Sequence, residues 1–194
     1  LGIRNVLLLT GDHPALGDHP QAKGVYDLDS VSLVRAAKTL EGGRDLAGKE
    51  LKGAPNFCIG AAVNPGADPI EAEIIKMEKK IESGVRFFQT QAIFDVELFK
   101  KFMSIVKRFN IPIIAGIVVL KSEKTAKFMN ENVPGVTVPE SIIRQMEKAS
   151  DKTSKSIEIA ANIIEEIKDV ADGIHIMPIG VYDKVALLLN KLNV

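Results

Sequence analysis

The stretch Phe57-Cys58-Ile59-Gly60-Ala61-Ala62-Val63-Asn64-Pro65-Gly66-Ala67-Asp68-Pro69-Ile70-Glu71 decides the fold class, because it passes from a strand into a helix through a short loop. Its first seven residues are almost continuously apolar, which is typical of a parallel strand covered on both faces. A capping aspartate, a proline at the first helical position and a glutamate three residues after the cap then predict a helix start. The stretch therefore predicts one βα unit of an α/β protein.

The same unit recurs along the chain. Apolar runs predict strands over residues 3–10, 57–63, 87–90, 111–118 and 173–177. Amphipathic segments predict helices over residues 29–40, 69–83, 96–109, 123–130, 139–148, 154–170 and 182–192. Asp95 is placed to cap the helix after the third strand, and Gly84 follows the helix before it, where a left-handed residue is usual. The glycine-rich residues 41–55 predict a surface insertion.

Five βα units permit two architectures. One is an open doubly wound sheet of the flavodoxin type, and the other is the last five units of a (β/α)8 TIM barrel, which needs roughly 250 residues in full. The chain opens at Leu1 directly into a predicted strand, so we expect residues 1–194 to form a single domain that is a partial barrel without its N-terminal units. Both architectures place their sites at the carboxyl ends of the strands, where Asp12, Asn64, Gln89 and Gln91 gather.

Composition limits the class of protein. The chain has 194 residues, 25 Lys and Arg against 25 Asp and Glu, and a formal net charge of zero. Hydrophobic residues make up 46% and charged residues 26%, as in globular proteins, and the balanced charge argues against nucleic acid or an anionic membrane as the main partner. Cys58 is the only cysteine, which excludes a disulfide framework and fits a reducing compartment. We expect a soluble cytoplasmic protein.

Two polar signals at strand ends indicate a ligand. Gly11 lets the backbone turn sharply, and Asp12 then presents a carboxylate that can stabilise a developing cation or bind a heterocycle. A turn aspartate that caps the next element is an equally good interpretation. Gln89 and Gln91 share one face of the third strand, and such a pair of amides fits a ligand with paired donors and acceptors, such as the edge of a pterin or flavin.

Other patterns are weaker. Glu73, Lys76 and Lys80 share one helix face, where a lysine can meet a phosphate, although a solvated, salt-bridged face is the more common explanation. His175 lies alone in the last predicted strand, as a packed core histidine would. No histidine or cysteine spacing indicates a zinc site, and no Gly-x-Gly-x-x-Gly, P-loop or Gly-x-Ser-x-Gly motif is present.

Taken in order, these segments resemble the methylenetetrahydrofolate reductase family across nearly the whole chain. The resemblance is carried by Gly2-Ile3-Arg4-Asn5, Thr10-Gly11-Asp12-His13-Pro14, Val25-Tyr26-Asp27-Leu28, Ala62-Val63-Asn64-Pro65, Lys80-Ile81-Glu82-Ser83-Gly84, Gln89-Thr90-Gln91, Phe94-Asp95 and Gly116-Ile117. It implies a flavoprotein on a (β/α)8 barrel, of which this chain matches the part from the fourth strand to the last helix. It also implies FAD at the carboxyl ends of the strands. A reduced nicotinamide or another donor, NADH, NADPH or ferredoxin, would reduce the flavin, which passes hydride to 5,10-methylenetetrahydrofolate to give 5-methyltetrahydrofolate.

The resemblance also implies roles for residues. Asp12 matches the aspartate that stabilises the cationic folate species, Gln91 matches the glutamine on the folate pterin, and Thr125 falls near the folate side. The positions that line FAD in the family are Thr10, Gly11, Asp12, Tyr26, Asp27, Ala62, Asn64, Glu73, Lys76 and Lys80. The family's general acid, a glutamate on the first barrel strand, has no counterpart in this chain. We therefore expect the chain to be inactive alone and to associate with a copy or partner chain that completes the barrel.

Two alternatives remain open at this point. The chain could be a non-catalytic binding module, either flavodoxin-like or a partial barrel. It could also be a flavin-free, pterin-binding barrel that transfers methyl groups. The position of Gln91 discriminates between an enzyme and a module, because a glutamine packed under a helix would favour the module.

Overall fold

Five strands alternate with helices in the computed structural model, which describes residues 2–193. The strands are β1 (Asn5–Leu8), β2 (Cys58–Val63), β3 (Phe87–Ala92), β4 (Ile113–Val118) and β5 (Gly173–Met177). The helices are α1 (Ser30–Glu41), α2 (Ile70–Ser83), α3 (Val96–Val106), α4 (Glu123–Asn132), α5 (Glu140–Lys148), α6 (Lys152–Ile167) and α7 (Lys184–Leu192). Two short 3-10 helices are Pro14–Leu16 and Lys107–Phe109. Every predicted strand and helix is present.

The element bounds differ from prediction for identifiable reasons. β1 is shorter than residues 3–10 because only Asn5 to Leu8 pair with β2, from Asn5↔Cys58 to Leu8↔Ala61. The predicted helix 96–109 ends as an α-helix at Val106 and tightens into a 3-10 turn that closes at Asn110 with φ 50°.

Helix starts show the same kind of correction. α6 begins at Lys152 instead of residue 154, because the Asp151 carboxylate accepts hydrogen bonds from the backbone N–H groups of Thr153 and Ser154. α2 begins at Ile70, so Pro69 precedes the helix and is not its first residue. The predicted signals at Asp95 and Gly84 are confirmed: Asp95 accepts a hydrogen bond from the Leu98 N–H at 2.9 Å, and Gly84 has φ 114°.

The strand order decides between the two architectures. The sheet runs β1-β2-β3-β4-β5, and the β1–β2 and β4–β5 pairs are parallel. A flavodoxin-type sheet would have the order 2-1-3-4-5, so the flavodoxin-like alternative is wrong. Consecutive parallel strands joined by helices are the arrangement of a (β/α) barrel.

The chain divides into two compact units, each with its own core. The first consists of Leu1–Ala62 with Ile74–Phe88, and the second of Val63–Glu73 with Gln89–Val194. In the first, Val34 of α1, Ile59 of β2 and Met77 of α2 are buried. In the second, the fully buried side chains include Phe99, Phe102, Ile113, Ile117, Met146, Ile167 and Leu188.

The two faces of β2 differ in burial. Ile59 and Ala61 are buried, whereas Cys58 and Ala62 on the opposite face are only half-buried. On that second face the Phe87 ring lies against Gly60 so closely that any side chain there would collide with it.

The predicted insertion is on the surface. Residues 46–54 are exposed, and an antiparallel bridge between Arg44 and Glu50 closes the segment. Among the described residues, each helix is too short or too polar to traverse a lipid bilayer.

Candidate functional site

The turn after β1 presents Asp12. Thr10, Gly11 and Asp12 are exposed. His13, not Asp12, caps the following 3-10 helix, because its Nδ1 accepts a hydrogen bond from the Ala15 N–H at 3.1 Å. The interpretation of Asp12 as the cap of the next element is therefore wrong, and its carboxylate lies at the strand exit without that role.

An exposed aromatic surface lies beside this turn. The rings of His13 and Tyr26 stack with centroids 6.1 Å apart and planes 20° apart. Tyr26 remains 70% exposed, and it lies over Gly24, where a side chain would collide with the ring. Asp27 is exposed next to it. A flat aromatic ring held in this way is suited to stacking against a planar ligand.

The carboxyl end of β2 carries a buried lysine contact. Lys80 of α2 is only 6% exposed, and its Nζ donates a hydrogen bond to the Ala62 carbonyl oxygen at 2.7 Å. Lys80 therefore does not belong to a solvated helix face. The Lys80 Nζ therefore lies beside the carboxyl end of β2.

Asn64 ties the loop after β2 to a distant turn. Its Oδ1 accepts a hydrogen bond from the Gly66 N–H at 3.0 Å, and its Nδ2 donates to the Pro134 carbonyl oxygen at 3.2 Å. Gly135, with φ 73°, packs so closely on the Asn64 amide that a side chain there would overlap it. Asn64 therefore acts as a link between the β2–α2 loop and the α4–α5 turn.

The acidic member of the α2 face has a backbone partner as well. Glu73 accepts a hydrogen bond from the Asn64 N–H at 3.0 Å through its Oε1. Lys76 is exposed on the same helix. The predicted phosphate-facing group is thus divided: Glu73 and Lys80 make structural contacts with residues at the end of β2, and Lys76 is on the surface.

β3 displays the predicted alternation. Phe88 and Thr90 are buried, whereas Gln89 is half-buried and Gln91 is exposed. Gln91 is therefore not packed under a helix.

A threonine hydroxyl lies between β3 and β4 beside Gln91. The Gly116 N–H donates to Thr90 Oγ1 at 2.9 Å, and the same hydroxyl donates to the Gln91 carbonyl oxygen at 2.7 Å. A methyl group on Gly116 would come within 2.6 Å of the Thr90 carbonyl oxygen. The two backbones therefore approach too closely for any side chain at position 116.

Thr125 lies in the first turn of α4. Its N–H donates to the Ser122 cap at 3.3 Å, and it is half-buried. The same turn is fixed by Lys152, whose Nζ lies 2.9 Å from a Glu123 carboxylate oxygen. The hydrogen bond from Lys152 holds the pKa of Glu123 below its ordinary value.

His175 is half-buried in β5 and lies opposite Gly116 in the register. The sequence interpretation expected a packed core histidine, whereas His175 is only half-buried. Within residues 2–193, no three His, Cys, Asp or Glu side chains converge as a metal site.

The sequence reasoning missed the roles of Thr90 and Gly135. Both are small residues next to a candidate polar side chain, Gln91 in one case and Asn64 in the other. Gly135 is far from Asn64 in the numbering, so only the folded chain brings the two together. The signal in Thr90 is its place between two glutamines, on the buried face of the strand.

The strand order defines part of a (β/α) barrel, and polar residues follow its strands. In this class of protein, sites are built on the carboxyl ends of the strands. A family model described as methylenetetrahydrofolate reductase matches residues 1–193. The chain belongs to the methylenetetrahydrofolate reductase family, and the predicted fold, about five βα units of a TIM barrel, is confirmed.

Curated relatives agree. Methylenetetrahydrofolate reductase 2 of Schizosaccharomyces pombe is 30% identical over 98% of this chain and 31% of that protein. The 5,10-methylenetetrahydrofolate reductase of Escherichia coli is 26% identical over 84% of this chain and 50% of that protein. The chain thus spans at most half the length of these two relatives.

A solved structure has a similar fold. It is an uncharacterized protein from Clostridium thermocellum that binds two copies of 5-methyl-5,6,7,8-tetrahydrofolic acid. The TM-score is 0.54 at 23% sequence identity, and the match covers 70% of this chain and 52% of that one. At this identity the similarity is one of fold.

Proposed function

We propose that this chain is the folate-facing and flavin-facing part of a methylenetetrahydrofolate reductase that converts 5,10-methylenetetrahydrofolate to 5-methyltetrahydrofolate. Membership of the family over residues 1–193 is the observation that carries the proposal. A reduced nicotinamide is the proposed electron donor. The exposed Asp12 and Gln91 at two strand ends support the proposed reaction.

Asp12 is the proposed catalytic carboxylate. Reduction of the methylene group proceeds through a folate species with positive charge at nitrogen, and a fixed carboxylate lowers the energy of that charge. His13 caps the next turn, so the exposed Asp12 carboxylate does not serve as that cap and is accessible to a ligand.

Gln91 is the proposed pterin contact. Its amide offers two N–H donors and one carbonyl acceptor, which match the alternating acceptors and donors on a pterin edge. Its exposure on β3 leaves the amide accessible. Thr125, in the first turn of α4, is the proposed second folate contact.

FAD is the proposed cofactor, and part of the predicted set fits it. Tyr26 provides an exposed flat ring, and Gly11 has open space around it. Ala62 is a small, half-buried residue, and the exposed Lys76 is suited to a phosphate. Thr10 and Asp27 are exposed beside them. When bound, FAD supplies the two-electron step between the donor and the folate.

Three predicted FAD-lining residues have structural contacts that limit this role. Lys80 donates to the Ala62 carbonyl oxygen, Glu73 accepts from the Asn64 N–H, and the Asn64 amide is bonded at both of its ends. We propose that these three shape the flavin site by holding the end of β2 and its loop.

The test uses the full-length protein that contains this chain. After purification it is expected to be yellow, and anaerobic addition of 5-methyltetrahydrofolate is expected to bleach the flavin absorbance, because the methyl group returns its hydride in the reverse reaction. A colourless protein that still binds 5-methyltetrahydrofolate would favour the flavin-free methyl-transfer barrel. A colourless protein that binds no folate would favour a non-catalytic module.

A further inference from the structure

A buried hydroxyl joins β3 to β4 beside Gln91. In a parallel ladder, one residue bonds to the two residues that flank its partner on the next strand. Gly116 follows this pattern, because its carbonyl oxygen accepts the Ile93 N–H at 2.9 Å. The second position of the pattern pairs the Gly116 N–H with the Gln91 carbonyl oxygen.

The Thr90 hydroxyl contacts both of these backbone groups. It accepts from the Gly116 N–H at 2.9 Å and donates to the Gln91 carbonyl oxygen at 2.7 Å. Thr90 is only 4% exposed, so water does not compete for these contacts. One buried hydroxyl thus hydrogen-bonds the backbone of β4 at Gly116 and the backbone of β3 at Gln91.

Such a contact restrains the backbone from which a neighbouring side chain leaves the strand. Here that side chain belongs to Gln91, which is exposed, whereas Thr90 before it is buried. Gly116 permits the arrangement because a side chain there would collide with the Thr90 carbonyl oxygen.

We propose that Thr90 is a positioning residue for Gln91: its buried hydroxyl sets the Gln91 backbone and thereby orients the amide toward the pterin. This inference rests on the proposed function. Thr90 itself touches no substrate and acts only through Gln91, so its removal weakens folate binding only while the Gln91 amide is present.

The test is a double-mutant cycle in the full-length protein, with the apparent dissociation constant of 5-methyltetrahydrofolate measured by flavin bleaching. Thr90→Val keeps the shape of the side chain and removes the hydroxyl, and we expect it to raise that constant about tenfold, the value of one net hydrogen bond. Thr90→Ser restores the hydroxyl and is expected to recover most of the affinity. In a Gln91→Ala background, Thr90→Val should add less than about twofold.

Controls separate this role from general damage. Thr39→Val makes the same chemical change at a hydroxyl that bonds only within α1, to the Arg35 carbonyl oxygen, and is expected to leave the constant unchanged. If Thr90→Val does not fold, Thr90→Ala is taken through the same cycle.

Two results would overturn the inference. Unchanged folate binding in Thr90→Val, or an equal loss with and without the Gln91 amide, would show that Thr90 does not act through Gln91. A wild-type protein that shows no folate-dependent bleaching would instead remove the proposed function, and the inference with it.

Discussion

At the scale of single residues, Asn64 connects several parts of the candidate site. Its amide bonds the Gly66 N–H and the Pro134 carbonyl oxygen, and its own N–H bonds Glu73. The side-chain amide of Asn64 joins the β2–α2 loop, which contains Gly66, to the α4–α5 turn, which contains Pro134. Loss of the amide therefore removes the hydrogen bond between the two segments.

Asn64→Ala is expected to lower the free energy of unfolding by about 2 kcal/mol, because two side-chain hydrogen bonds are lost. Asn64→Asp keeps the acceptor for Gly66 but turns a carboxylate toward the Pro134 carbonyl oxygen. It should therefore regain stability relative to Asn64→Ala as the pH falls and the new carboxyl group becomes a donor. Urea unfolding at several pH values measures both effects.

The exposed Asn162 on α6 supplies the matched control. Asn162→Asp is expected to change stability by less than about 0.5 kcal/mol. An unchanged unfolding free energy in Asn64→Ala would show that the link between the two loops is not energetically significant.

Glu41 gives a residue-scale prediction about pH. Its side chain is 9% exposed, and its carboxylate accepts hydrogen bonds from Lys38 Nζ at 2.8 Å and from the Phe57 N–H at 3.0 Å. The same carboxylate forms an ion pair with the Arg86 guanidinium at 3.7 Å. The hydrogen bond from Lys38, with smaller contributions from Phe57 and Arg86, lowers the pKa of Glu41 below its usual 4.5. A lowered pKa in the folded state means stabilisation above the unfolded pKa, lost as the pH falls through the folded value.

Glu41→Gln should therefore be less stable than wild type near neutral pH, and the difference should shrink as the pH falls below about 4.5. The exposed Glu140–Arg144 pair provides the control, since Glu140→Gln should have little effect at any pH. Chemical denaturation across the pH range measures both. A stability difference that grows on acidification would contradict a lowered pKa for Glu41.

Candidate residues were predictable from sequence where local patterns carry the information. Gln91 was found because period-two alternation places it on the face opposite Thr90, and its exposure agrees. The contacts of Asn64 and Lys80 were not predictable, because they depend on where a distant turn and a strand carbonyl lie after folding. Helical spacing placed Lys80 on a face with Lys76, but packing buries one and exposes the other.

At the scale of secondary structure, capping aspartates fix where several helices begin. Asp95 starts α3 by accepting the Leu98 N–H at 2.9 Å, and Asp151 starts α6 through Thr153 and Ser154. Asp183 precedes α7 but makes no side-chain capping bond. The sequence predicted the first of these caps and placed the start of α6 two residues late, because the capping role of Asp151 was not recognised.

Asp95→Ala is expected to lower the free energy of unfolding by about 1 kcal/mol, because the N–H of Leu98 loses its partner. Asp183→Ala removes a residue at the equivalent position without losing such a bond, and its effect should stay within about 0.5 kcal/mol. Thermal or urea unfolding of the two variants side by side measures the difference. Equal losses would show that the Asp95 contact is not the cause.

At the scale of the whole molecule, the sequential strand order connects the fold to the family. Apolar runs predicted five parallel strands, but they did not determine the order in which the strands lie, so flavodoxin-like and barrel architectures remained open. The order β1 to β5 and the family match over residues 1–193 remove that ambiguity. The chemistry then depends on what the strand ends present.

The most direct test of the proposed chemistry is the rate at which 5-methyltetrahydrofolate bleaches the bound flavin in Asp12→Asn, measured anaerobically in the full-length protein. Asp18→Asn, an exposed aspartate six positions on, is the control and should behave as wild type. We predict that Asp12→Asn retains its flavin and bleaches about a hundredfold more slowly, since a neutral amide no longer stabilises the cationic folate. Bleaching at the wild-type rate would contradict the proposed role of Asp12.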